Sequence, residues 1–291
     1  MAMSKTIRLI YPQWQGGQIT RWIREISDPE LASRGYYLGS MLLDFLAPAT
    51  NMEKYTVPVS LEPHERTVTD GIMDRDIIAD QTQAALDILK VANPDKIVTL
   101  GGECSVSVAP FTWLAEKYGG DVALVWIDAH PDITLPGDAY PGYHAMAVTA
   151  VMGLGDSKIG GKMPAKFPAD KILLVGIRDW ERDEIRRRQE ELGLSHLSPE
   201  DVATDNSKLD KWLRQCGASK VVVHLDLDVL DPAEIILAVG VSPDGMKMAE
   251  VVRVIKDIAT QKDLVGITVA EAMPRKAILL KEMLGKLPLL Q

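Results

Sequence analysis

Cysteine is nearly absent from this chain: Cys104 and Cys216 are the only two in 291 residues. Two thiols cannot make the disulfide framework of a small secreted domain, so the expected setting is a reducing compartment, the cytoplasm. Long apolar runs are missing too. Nothing approaches the roughly 20 residues needed to span a bilayer, and the opening residues lack the apolar core of a signal peptide before Tyr11 and Pro12. Basic residues are in deficit, with 32 Lys and Arg against 41 Asp and Glu, a net charge of −9. That balance argues against nucleic acid or an anionic membrane as a partner, because both reward an excess of Lys and Arg. Low-complexity tracts, fixed-period repeats and Ser/Gly-rich linkers are also lacking.

What remains is an ordinary globular composition, 46% hydrophobic and 25% charged with 22 Gly and 17 Pro. The length allows two domains, but the pattern reads as one domain over residues 1–291. Short β-branched runs recur at Thr6–Tyr11, Lys96–Leu100, Val122–Ile127, Lys171–Gly176, Lys220–Leu225 and Leu264–Ala270. Most are apolar on both faces, as in parallel strands covered on both sides. Helical periodicity fills the intervals at Pro29–Leu46, Asp74–Val91, Ser105–Tyr118, Glu181–Leu192, Ser207–Cys216, Met246–Ala259 and Arg275–Leu284. Residues Leu135–Tyr143 and Ile235–Gly245 read as substantial loops. The alternation predicts a single-domain α/β fold, a three-layer α/β/α sandwich with a mainly parallel sheet. A TIM barrel competes, but the strand candidates fall short of eight.

The polar residues are placed against that frame. Glu103 and Cys104 follow the Lys96 strand, and Asp128, His130 and Asp132 follow the Val122 strand. Arg178 and Asp179, then Asp226 and Asp228, then Glu271 follow the next three. The carboxyl ends of parallel strands form the rim where open α/β sheets bind ligands. In extended chain, residues two apart share a side, so Asp128, His130 and Asp132 should converge, as should Asp226 and Asp228. Four carboxylates in one cleft repel, and two divalent cations would neutralise them. Carboxylate-rich ligation with one imidazole suits Mn²⁺, with Mg²⁺, Fe²⁺ and Co²⁺ as alternatives. Two such ions supply a hydroxide nucleophile near neutral pH, which makes metal-assisted hydrolysis the expected chemistry.

These residues give the chain a resemblance to the arginase, or ureohydrolase, family. The motifs are Asp128-Ala129-His130-Pro131-Asp132, His224-Leu225-Asp226-Leu227-Asp228-Val229-Leu230-Asp231-Pro232 and Ala270-Glu271-Ala272-Met273-Pro274. The resemblance implies a dinuclear manganese amidinohydrolase that cleaves the guanidino group of L-arginine or Nω-hydroxy-L-arginine to ornithine plus urea or hydroxyurea. It implies that Asp128 and Asp226 bridge two ions, that Asp132 ligates one, and that His130 and Asp228 ligate the other. Glu271 would pair with the guanidinium and His144 would shuttle a proton to the leaving amine, which calls for a near-neutral pKa. Thr134 and Glu181, with Glu184 beside them, occupy the positions that hold the amino-acid head group in arginases, where Asn and Asp are usual. The small guanidino substrate is the expected partner, and a homo-oligomer is compatible with the family although no residue marks an interface.

One position departs from the pattern. Gly101-Gly102-Glu103-Cys104-Ser105 stands where the family ordinarily has GlyGlyAspHisSer, so a metal-ligating histidine is replaced by Cys104. A thiol has less reach and is softer than manganese prefers, so a weaker or more labile first ion is expected there, with Cys104 either a distant ligand or a polar residue beside the ligands. With Pro243-Asp244-Gly245-Met246, this stretch resembles the branch that hydrolyses Nω-hydroxy-L-arginine. Hydrolysis of agmatine, a guanidino acid or formiminoglutamate, a one-metal deacetylase-like amide hydrolase, and a catalytically silent metal-binding homologue stand as alternatives. Of the remaining histidines, His64 and His196 read as structural or exposed, and His224 as lying beneath the metals.

Overall fold

Six apolar runs flanked by helical segments fold as their pattern requires, into one open parallel sheet. The computed structural model describes residues 4–19, 28–273 and 277–290. The strands in chain order are β1 (Thr6–Tyr11), β2 (Glu53–Thr56), β3 (Val68–Thr69), β4 (Ile72–Met73), β5 (Lys96–Gly101), β6 (Val122–Ile127), β7 (Ile172–Val175), β8 (Ser195–Leu197), β9 (Lys220–Asp226) and β10 (Asp263–Ala270). Eight of them form the sheet, in the order β2-β1-β5-β10-β9-β6-β7-β8, while β3 and β4 make a separate two-stranded antiparallel piece. Every pairing in the large sheet is parallel.

Both faces of the sheet are covered. Strand alternation sends Ile7, Leu9, Ile97, Leu124, Trp126 and Val222 into one apolar core and Ile10, Val98, Leu100, Val125, Ile127 and Val223 into the other. The sheet has eight strands, as a barrel would, but it stays open because β2 and β8 are edges with no partner beyond them. These two strands are also the ones the apolar pattern misses. Glu-Lys-Tyr-Thr in β2 is largely exposed, and only Leu197 of β8 is buried. A polar, short edge strand protects the sheet from adding foreign strands, and the same polarity hides it from a search for apolar runs.

The expected helix over Pro29–Leu46 is divided at Arg34 into Pro29–Ser33 and Gly35–Leu46. The segment Ser105–Tyr118 begins as a 3₁₀ turn, Cys104–Ser107, and becomes α-helical from Val108 to Lys117. The other helices lie within three residues of expectation at each boundary, and the start of the last one, Arg275, falls outside the described residues. Among the described residues no helix is long and apolar enough to cross a membrane.

Gly39 ties the helix Gly35–Leu46 to the end of β10. A Cβ there would lie 1.6 Å from the carbonyl oxygen of Ala272, the residue after Glu271. Gly39→Ala should therefore lower stability by at least about 2 kcal/mol, since backbone cannot yield as a flexible side chain does. Gly160→Ala meets nothing within 4 Å and should change stability by no more than about 0.5 kcal/mol. Thermal melts of the two variants side by side check the pair.

Candidate active site

Because the sheet is parallel, the carboxyl ends of its strands share one rim, and the polar clusters expected there are found together. They border a cleft of about 800 Å³ whose walls include Cys104, His130, Asp132, His144, Asp226, Asp228 and Glu271. The loops over residues 134–142 and 239–243 complete it through Tyr140, Val239 and Ser242.

Turns, rather than extended chain, deliver the carboxylates. Asp128 Oδ1 accepts the amide of His130 at 2.7 Å, and Asp226 Oδ1 accepts that of Asp228 at 2.7 Å. The backbone turns at Leu227–Val229, and Asp132 takes a left-handed φ of 50°. The two-residue alternation therefore predicts the right residues by the wrong geometry. Asp226 and Asp228 part company: Asp226 Oδ2 lies 2.9 Å from Cys104 Sγ, while Asp228 Oδ2 lies 3.1 Å from His130 Nδ1.

Among the described residues, donor atoms gather into three groups whose members lie within 4.8 Å of one another. Asp128, His130 and Asp228 form one, and Cys104, Asp128, His224 and Asp226 form a second. Asp128 belongs to both. The third joins Cys104, His144 and Glu271. Asp132 belongs to none of these but faces the same cleft, and its buried Oδ2 has no hydrogen-bond partner among the described residues.

Burial raises Asp128 to about 6, with help from Asp228, and raises Asp132 and Asp226 well above the usual carboxylate range. Burial pushes Asp228 the same way, but the charge of His130 outweighs it and holds the group down at about 2. Without cations the cluster keeps protons that it would otherwise give up. Oxygen-dominated donors, with an imidazole in each group and an unpartnered carboxylate oxygen among the described residues, suit hard divalent cations, so the residues present fit a metal centre.

His144 stands at the far side of the cluster, in the 3₁₀ turn Tyr143–Met146. Its Nδ1 is 3.0 Å from Glu271 Oε1 and its Nε2 2.7 Å from the Tyr140 hydroxyl. Burial would lower its pKa, but the Tyr140 oxygen and the Glu271 carboxylate more than reverse this, leaving it well above the histidine range rather than near neutral. Glu271 takes a left-handed φ of 63°, and its amide donates to Gly102 at 2.8 Å, so the backbone fixes where the carboxylate stands.

The remaining assignments separate. Thr134 borders the cleft, but its hydroxyl donates to the Ala145 carbonyl at 2.7 Å. Glu181 also borders it, with a φ of 56°. Glu184 is not among the lining residues and pairs with Arg182. His64 lies 3.3 Å from Asp74, and His196 contacts Gln189, both outside the cleft lining. His224 is fully buried, stacked on Trp126, with its pKa pushed down to about 3 by burial.

Two residues that support the site were not assigned roles from sequence. Tyr140 sits in a loop with no periodic signal, although it stands four residues before His144. Asp179 Oδ2 lies 3.8 Å from His130 Nε2. The sequence puts Arg178 at the rim, but its work is visible only in space: it donates to the carbonyls of Asp228 at 3.0 Å and Ser242 at 2.8 Å, strapping the loop to the turn that carries Asp228.

A model of the Arginase family matches residues 50–279. The chain belongs to the arginase family. Arginase from Entamoeba histolytica is 26% identical over 247 residues, which cover 82% of each chain. Mitochondrial arginase 1 of Arabidopsis thaliana is 27% identical over 214 residues, 72% of this chain and 57% of that protein, so the match spans little more than half of the plant relative. In structure, the Entamoeba histolytica arginase solved in complex with L-ornithine superposes with a TM-score of 0.76 at 19% identity, covering 98% of this chain and 99% of that one. The arginase fold is thus shared along nearly the whole length.

The raised pKa of Asp128 has a measurable consequence. Its folded value of about 6 exceeds that of a free Asp, so the stabilisation from holding the proton is complete below roughly pH 4 and is lost as pH rises through 6. In chelator, Tm should therefore fall between pH 5 and 7.5. Added Mn²⁺ should raise Tm most at the upper end, where protons no longer compete for the carboxylates. A chelated protein whose Tm climbs across this range would contradict the assignment.

Proposed function

We propose that this arginase-family chain hydrolyses the bond between the guanidino carbon and the side-chain nitrogen of L-arginine or Nω-hydroxy-L-arginine, releasing ornithine with urea or hydroxyurea. The observation that carries this reading is the placement of Glu271. It is a buried carboxylate fixed by its own backbone at the cleft wall, beside His144 and within reach of the acidic cluster. A planar cationic guanidinium is the natural complement to that carboxylate.

Asp128, His130 and Asp228 would hold one divalent cation, and Asp226 and Asp132, sharing Asp128 and flanked by Cys104, would hold the other. Manganese is the expected metal for this donor set. Such a pair supplies a water made nucleophilic at neutral pH and Lewis-acid stabilisation of the developing charge.

The protein's own residues then bind, orient and move protons. Glu271 anchors the guanidinium and so aims its carbon at the floor of the cleft. His144, held between Glu271 and the Tyr140 hydroxyl, carries the proton that the departing amine must gain. Its elevated pKa supplies the acid, and the positive charge of bound cations and substrate lowers it toward the working range. Asp179 holds the far nitrogen of His130 and keeps its ring oriented. Glu181 and Thr134, which both border the cleft, would meet the amino-acid head group.

The test is turnover by Mn²⁺-reconstituted protein with L-arginine and Nω-hydroxy-L-arginine in parallel, measuring ornithine. Release from either supports the reading, and a strong preference for the hydroxylated substrate would connect Cys104 to its chemistry. No ornithine from either would overturn it. His144→Asn should reduce kcat by roughly 10²–10³-fold while metal content stays constant, as expected for loss of a general acid. Glu271→Gln should weaken substrate capture as well as turnover.

A further inference from the structure

One buried imbalance lies outside the mechanism above. His224 on β9 is fully buried, and its Nε2 has no hydrogen-bond partner among the described residues. A ring nitrogen of the same residue is within 4.8 Å of donor atoms of Cys104, Asp128 and Asp226. A buried imidazole nitrogen without a partner is costly unless something occupies its lone pair.

The surroundings fix this ring as they would fix a ligand. His224 Nδ1 and the Ser107 hydroxyl are 2.8 Å apart. When Nδ1–H donates to that oxygen, Nε2 carries the lone pair, which is the tautomer that binds a cation. On one face the ring stacks against Trp126, with centroids 3.6 Å apart and planes 12° from parallel. Trp126 in turn donates from Nε1 to Asp128 Oδ2 at 3.0 Å, tying the stack to the carboxylate shared by the two donor groups. Strand register sets this up: Trp126 and His224 are paired across β6 and β9, two residues before Asp128 and Asp226.

Cys104 is engaged differently. Its Sγ is 2.9 Å from Asp226 Oδ2, a hydrogen bond in which the thiol proton is spent on a carboxylate. We propose that His224 supplies the nitrogen ligand to the cation held by Asp128 and Asp226, and that Cys104 serves as a hydrogen-bond donor to Asp226 rather than as a ligand. The imidazole that position 104 lacks thus reaches the same ion from the strand beneath it. This rests on the metal-dependent reading above, and the two are separable by experiment.

Full-length protein stripped by chelation is titrated with Mn²⁺ by calorimetry, and the loaded protein is examined by X-ray absorption fine structure, which counts imidazoles per manganese. Wild type should bind two equivalents with an average of one imidazole each, from His130 and His224. His224→Gln, whose amide can still meet Ser107, should weaken one equivalent at least tenfold, leave the other unchanged, and halve the imidazole count. Adding Cys104→His to that variant should restore both. Unchanged affinity and imidazole count in His224→Gln would overturn the proposal while leaving the hydrolase reading intact. Wild type that binds no Mn²⁺ would overturn both. If His224→Gln does not fold, the wild-type count decides: one imidazole per manganese supports the proposal and one per two overturns it.

Discussion

Mutual repulsion among buried carboxylates is the constraint on which this molecule turns. Asp128, Asp132, Asp226 and Asp228 are each less than a tenth exposed; the last three line one cleft, and Asp128 lies against Asp226 and Asp228. His130 is committed to Asp128 and Asp228, and the Arg178 guanidinium and His144 lie near enough to offset part of the remaining charge. Such a cluster is stable either by keeping protons or by binding cations. The parallel sheet creates the problem, since it brings five strand ends to one rim. The same rim solves it, because oxygen donors from different strands can converge on ions that no single segment could hold.

The surrounding architecture keeps that rim from relaxing. Asx turns at Asp128 and Asp226 lock each carboxylate to its own backbone, and Arg178 binds the loop at Ser242 to the carbonyl of Asp228. Left-handed residues occur at Asp132, Glu181 and Glu271, all on the cleft wall. Backbone strain of that kind survives where neighbouring structure over-determines it. Gly102 and Gly39 provide two of those determinants: the first accepts the amide of Glu271, and the second lets a helix press on the next carbonyl.

Much of this was legible in the sequence, for a physical reason. Central parallel strands must be apolar on both faces, so a charged residue at the end of one stands out, and Asp128, His130, Asp226, Asp228 and Glu271 all announce themselves that way. The edge strands did not, because β2 and β8 are short and polar. The turn that parts Asp226 from Asp228 was hidden, since a 3₁₀ turn breaks the two-residue alternation, although the family resemblance implies that His130 and Asp228 meet at one ion. The contact of Tyr140 with His144 is set by the loop path, and the stack of Trp126 on His224 by strand register. Cys104 was conspicuous as a departure from the family pattern, but only the fold shows a second imidazole in reach of the same place.

The account stands most directly on the claim that two cations share Asp128 at the floor of this cleft. Crystals soaked in Mn²⁺ and measured at the manganese absorption edge test it without reference to any substrate. Two anomalous peaks flanking the Asp128 carboxylate, one toward His130 and Asp228 and the other toward Asp226, are the predicted result. A single peak, or density away from these residues, would contradict it.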